Sequence, residues 1–167
     1  MTSTRTMDDF VISRAVNAPL ERVWRAHTEV DRLKQWWSPR DFRCVHATLD
    51  LRPGGSFHYC LQAADGAEIW GRLIYREIIP QERIVCIVTF SDKDGGLGRH
   101  PMNPSWPAQI LSTTTLAEEN GKTIVTVRWR PFDATEAEIR SFDDGRPDMQ
   151  DGFTGTFDLL EAHLARG

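Results

Sequence analysis

Between Phe42 and Arg130 apolar and polar residues alternate with a period of two, and turn residues cut the stretch into strands. Nothing else in the chain narrows its fold as far. A strand with one apolar face has to bury that face, so the residues outside this stretch must supply a cover for a sheet. The breaks are Pro53-Gly54-Gly55, Asp65-Gly66, Pro80, the Gly- and Pro-rich segment 92–108 and Asn120-Gly121. They leave strands at 42–51, 56–63, 67–79, 83–91, 109–118 and 122–130. Asn-Gly and Asp-Gly favour two-residue hairpin loops, which need positive φ at both central positions, so successive strands should pair antiparallel.

On either side the period is helical. Residues 10–17 read as a first strand, and Pro19 suits the first position of a helix, where its missing N–H costs nothing. Leu20, Val23, Trp24 and His27 recur at helical spacing. Thr28 with Asp31 resembles a capping box that starts a second short helix through Val30, Leu33 and Trp36, ended by Ser38-Pro39. Near the C-terminus Met149, Phe153, Phe157, Leu160 and Leu164 form one apolar stripe. The order is strand, two short helices, six strands, long helix. This is an α+β chain whose last helix is the element free to cover a curved antiparallel sheet.

A length of 167 residues suits a single domain, with its core at about 10–164. The net charge of −4 argues against nucleic acid, because phosphate binding rests on clustered Lys and Arg. No apolar run reaches the length of a membrane span, and the polar start with Asp8 and Asp9 does not read as a signal peptide. Cys44, Cys60 and Cys86 are odd in number and show no repeated spacing, as expected of reduced thiols in a cytoplasmic protein. The 6 tryptophans point to a large interior without saying whether it is filled.

A set of short motifs runs through the chain in order. The first are Arg14, Ala18-Pro19, Val23-Trp24, Thr28 and Trp36-Trp37-Ser38-Pro39. Asp50-Leu51-Arg52-Pro53-Gly54-Gly55 follows, then Gly71 ahead of Arg76-Glu77-Ile78, then Gly152-Phe153 with Asp158-Leu159-Leu160. Together they resemble the SRPBCC (START-like) superfamily and, within it, bacterial homologues of the activator of the heat-shock-protein-90 ATPase. The resemblance implies the helix-grip fold, a curved antiparallel sheet wrapped around a long C-terminal helix with two short helices after the first strand. The superfamily holds lipid carriers, hormone receptors, aromatic cyclases and co-chaperone domains, so the fold does not choose among them. Phe153 stands where that family commonly has Trp, and the segment 91–108 is long.

Hairpin register says which side chains should face a pocket. A two-residue Asp65-Gly66 loop pairs Leu61 with Trp70, Tyr59 with Arg72 and Phe57 with Ile74. That turns Phe57, Tyr59, Leu61, Trp70 and Ile74 inward and leaves Cys60, Gly71, Leu73 and Tyr75 outside. Arg72 then lies on an apolar face, where a guanidinium needs an internal carboxylate, the rim, or an anionic ligand group. The Asn120-Gly121 loop pairs Leu116 with Val125, Thr114 with Val127 and Ser112 with Trp129, so Thr114 and Ser112 face inward beside Val127 and Trp129. Trp36, Trp37, Phe153 and Phe157 complete the expected lining from the helices. Gly152 and Gly155 in the last helix fit close helix–sheet approach or room left for a ligand equally well.

Other features are weaker. Cys44, His46, His58 and Cys60 share a spacing, but all four are expected on a flat outer face, with Val45, Leu49 and Leu51 turned in; no metal is expected there. No cofactor fingerprint occurs and no residue is assigned a catalytic role. Glu77 reads as a partner for Arg76 or Arg83, and His100 as a loop histidine. The Gly- and Pro-rich segment 92–108 carries Met102 and Trp106 and is expected to cover the pocket mouth, with Trp106 as its apolar latch. Three readings stay open: binding a small apolar or aromatic molecule, interaction with a chaperone or another protein, and a cyclase-like enzyme. The oligomeric state is not legible.

Overall fold

In a computed structural model, which describes residues 9–39, 41–96, 98–100 and 103–166, the chain runs through eleven elements. They are β1 (Phe10–Val16), α1 (Leu20–Thr28), α2 (Val30–Trp36), β2 (Phe42–Leu49), β3 (Ser56–Ala63), β4 (Glu68–Ile79), β5 (Arg83–Ser91), β6 (Ile110–Glu119), β7 (Lys122–Pro131), α3 (Glu136–Asp144) and α4 (Arg146–Ala165). The strands make one curled antiparallel sheet in the order β1-β7-β6-β5-β4-β3-β2. The meander from β2 to β7 is what short hairpin turns produce. β1 crosses to the far edge and pairs with β7, from Phe10 opposite Trp129 to Val16 opposite Thr123.

The helix-grip expectation holds. α4 lies over the concave face and buries Met149, Phe157, Leu160 and Leu164, while Phe153 is partly buried between Phe10 and Trp129, with ring centroids 5.8 and 4.9 Å away. Arg14 pins α4 to β1, donating to Asp158 (3.0 Å) and Glu161 (3.2 Å) with its guanidinium over the Phe157 ring. Among the described residues no helix is long and apolar enough to cross a membrane.

Two helical details differ from the sequence reading. Thr28 does not cap α2: its hydroxyl donates back to the Trp24 carbonyl (2.9 Å), and Glu29 holds the cap position with its carboxylate engaged by Arg25 and Arg32 instead of by the helix N–H groups. Helix α3 was not expected at all. Thr135 and Glu138 form its capping box, the Glu138 N–H donating to the Thr135 hydroxyl (3.1 Å) and the Thr135 N–H to the Glu138 carboxylate (2.9 Å).

The two hairpins part ways. At Asn120-Gly121 both residues have positive φ, 54° and 80°, and the register is the expected one: Leu116 opposite Val125, Thr114 opposite Val127, Ser112 opposite Trp129. At Asp65-Gly66 only Gly66 has positive φ, 91°. The Gly66 N–H donates to the Ala63 carbonyl and the Ala63 N–H to the Ala67 carbonyl, each at 2.9 Å, so the loop holds three residues rather than two. This is a type I turn closed by a left-handed glycine. Every pair moves by one: Phe57 faces Leu73, Tyr59 faces Gly71, Leu61 faces Ile69. Phe57, Tyr59 and Leu61 still point inward, but Trp70, Arg72 and Ile74 point to the outer face, and Gly71, Leu73 and Tyr75 take the inner one.

A second irregularity corrects the edge strand. A bulge in β2 falls between Cys44 and His46. Val45 is therefore exposed instead of turned in, and Cys44, opposite Leu61, packs toward the core instead of joining His46 outside.

Candidate functional site

The space between the concave sheet and α4 is not filled. A chamber of ≈ 280 Å³ lies under α4, and a wider vestibule of ≈ 900 Å³ adjoins it, with Tyr59, Leu61, Val88, Trp129 and Met149 bordering both. Each wall has a physical origin. From β3 come Tyr59 and Leu61; from the second hairpin come Ser112, Thr114, Val127 and Trp129; from α2 and its end come Trp36 and Trp37; from α4 come Phe153 and Phe157. Gly152 also borders the chamber, and a Cβ built there would meet nothing within 4 Å. Of the two explanations for that glycine, room inside the chamber fits and close helix–sheet contact does not.

Two aromatic runs frame this space. Trp37 stands edge-on to Trp36 (5.6 Å), Phe57 (5.9 Å) and Tyr59 (5.9 Å), and on the other side Trp129, Phe153 and Phe157 follow one another. The Tyr59 ring lies across Gly71, where any Cβ would overlap the phenol. Glycine is needed there because the three-residue turn sets it opposite an inward tyrosine.

Polar groups on the wall are few, and most are already engaged. The Trp129 indole N–H donates to the Ser112 hydroxyl (3.0 Å), and the Thr156 hydroxyl donates to the Ser38 carbonyl (2.9 Å). Burial pushes the Cys86 thiol up to about 12, against the pull of its hydrogen bond with Ser112, so the sulfur stays a protonated thiol and is no nucleophile. Burial likewise drives the phenols of Tyr59 and Tyr75 well above the ordinary tyrosine range. The vestibule is different in character: His100, Arg140, Asp144 and Asp148 border it.

Of the residues expected at the site, Trp36, Trp37, Tyr59, Leu61, Thr114, Val127, Trp129, Phe153 and Phe157 border the chamber. Phe57 is fully buried in the core behind Tyr59 rather than on the chamber wall. Trp70 stacks with His58 (5.1 Å) and His46 (5.3 Å) on the outer face and meets only the rim of the vestibule. Arg72 points to the outer face and donates to the Gly95 carbonyl (2.9 Å) in the turn after β5, so the protein partner it has is a backbone carbonyl rather than an internal carboxylate. Ile74 lies opposite Ile87, away from the chamber. Glu77 accepts from Arg83 (2.6 Å), one of the two partners expected for it. Leu73, Tyr75, Cys86 and Met149 are wall residues the sequence reading missed. The first two would have followed from allowing Gly66 alone to take the left-handed conformation.

Trp106 borders the vestibule, packed on Gly145 and on Phe142 of α3 (5.8 Å), and Met102 lies outside the described residues. The segment around Trp106 is tied to the unexpected helix. Arg99 donates to Glu138 (2.7 Å), the Ala108 N–H to the same carboxylate (3.2 Å), and Asn103 to the Ser141 hydroxyl (2.8 Å). The Thr135 N–H, then Arg99, hold the Glu138 carboxyl below its ordinary range. Among the described residues no three His, Cys, Asp or Glu side chains gather in a metal-binding arrangement.

A curled sheet gripping a long helix over an open chamber defines a helix-grip domain. Residues 17–165 match the family model for activator of Hsp90 ATPase homolog 1-like protein, and the chain belongs to this family. Solved structures repeat the fold. A protein from Nitrosomonas europaea is 22% identical, with 96% of each chain covered and a TM-score of 0.74. One from Arthrobacter aurescens is 20% identical over 95% of this chain and 87% of that one, with a TM-score of 0.78. The AHSA1 protein from Silicibacter pomeroyi is 18% identical over 95% and 98%, with a TM-score of 0.68. A search of the curated proteins finds no match.

Proposed function

We propose that this domain binds a small apolar or aromatic molecule in the chamber under α4. The observation that carries the reading is the chamber itself. Protein interiors pack to crystal density, and a void of ≈ 280 Å³ walled by tryptophan, tyrosine and phenylalanine forfeits contacts that a ligand would restore. Ligand sites are concave and mostly apolar, with a few placed polar groups, and Ser112, Thr114 and Tyr75 are such groups. A co-chaperone-like role would lean on an exposed apolar patch. Among the described residues the large apolar side chains standing in water, Val11 and Val45, lie instead on the two opposite edge strands of the sheet. Native mass spectrometry of the protein purified from its own host is the direct test. A mass above that of the chain, lost on organic extraction and recovered as a small apolar compound, is the expected result. Purified protein that carries no adduct and takes up no apolar probe would end the reading.

A further inference from the structure

Tyr75 is 3% exposed and borders the chamber, yet its hydroxyl has no hydrogen-bond partner among the described residues. The wall donors Trp36, Trp129 and Thr156 are satisfied by the protein, whereas the Tyr75 hydroxyl remains available to a molecule in the chamber. Burial keeps this phenol protonated across the neutral range, so it presents a donor to whatever enters. The Thr114 hydroxyl, on the same wall, also has no hydrogen-bond partner among the described residues.

The second observation is where charge lies. Among the described residues no Asp, Glu, Lys or Arg borders the inner chamber, and burial holds His27, the one basic side chain among them there, below the ordinary histidine range and neutral. Arg140, Asp144 and Asp148 stand at the vestibule instead. An ionised group carried into the chamber would lose its water with nothing to replace it. The walls between carry aromatic rings set edge-on to one another, which offer both ring faces and ring edges to an aromatic ligand.

We infer that the chamber takes an aromatic molecule, uncharged where it is buried, whose hydroxyl or carbonyl accepts a hydrogen bond from Tyr75. Any charged group of the ligand stays in the vestibule. This rests on the binding function proposed above and specifies its ligand class.

Equilibrium dialysis with naphthalene, a naphthol and a naphthoate at neutral pH separates the two levels. The naphthol should bind roughly three- to tenfold more tightly than naphthalene, the ratio one sheltered neutral hydrogen bond supplies, and the naphthoate should bind least. Tyr75→Phe should erase the naphthol preference, with its circular-dichroism spectrum and thermal midpoint reporting that the variant is folded. A naphthoate that binds as well as the naphthol overturns this inference while leaving the binding function standing. So does a naphthol preference that survives Tyr75→Phe or vanishes only in Thr114→Val. If neither naphthalene nor the naphthol binds the unaltered protein, the binding function falls and this inference with it.

Discussion

The two glycine hairpins of this sheet look alike in sequence and behave differently. Asn120-Gly121 puts both residues in the left-handed region and closes a two-residue loop between Glu119 and Lys122. Asp65-Gly66 leaves Asp65 out of that region, spends its one positive φ on Gly66, and takes Ala64 into the loop. The Asp65 carboxylate accepts the Ala67 N–H (2.9 Å), a local bond that belongs to this turn. Asparagine enters the left-handed region more readily than most residues. One residue of loop length then decides which side of β4 sees the ligand chamber, because side chains alternate strictly along a strand.

The largest effect that tests this difference is in the middle of β4. Leu73 is buried on the inner face, and Ile74 lies half-buried on the outer one. Leu73→Ala should cost about 2–5 kcal/mol in urea melts. Ile74→Ala should cost clearly less, since part of its side chain remains in water. The opposite order would mean that a two-residue loop operates in solution and that Trp70, Arg72 and Ile74 belong to the chamber after all.

A smaller effect lies in the turns themselves. Asn120 holds φ of 54°, a conformation that costs a residue with an ordinary Cβ roughly 1–2 kcal/mol. Asn120→Ala should therefore destabilise by about 1 kcal/mol. Asp65→Ala loses only an exposed hydrogen bond and should cost under about 0.5 kcal/mol. Equal losses in paired thermal melts would erase the distinction drawn between the two turns.

The same contrast explains what could be read in advance. Strand positions, the covering helix and the inward set Ser112, Thr114, Val127 and Trp129 followed from alternation and from one turn whose chemistry admits a single geometry. Trp70, Arg72 and Ile74 were misplaced because Asp-Gly is compatible with two loop lengths, and alternation cannot arbitrate when Leu73 and Ile74 are both apolar. Tyr75 was lost for the same reason, and with it a hydroxyl that borders the chamber. Helix α3 did have a signature, Thr135 followed three residues later by Glu138, but its short apolar stripe lies against Trp106, a contact no local pattern reveals. The bulge at Val45 left no mark in composition at all.

The smallest expected change in stability is the one most informative about the chamber, whose opposed walls come from the two hairpins. Gly152 faces them from α4 with open space where a Cβ would be. In a helix interior glycine is about 1 kcal/mol worse than alanine, so Gly152→Leu adds helix propensity while its side chain extends into the void. The thermal midpoint should stay where it is or rise slightly. Binding of an apolar fluorescent probe should fall at least tenfold, because the added side chain occupies the volume the probe needs. A clear loss of stability would mean that α4 sits against the sheet with no free space at this point, as overpacking of a filled core costs about 1–3 kcal/mol. Unchanged probe affinity in a folded variant would place the probe in the vestibule, beside Trp106 and Arg140, and remove the inner chamber from consideration as the binding site.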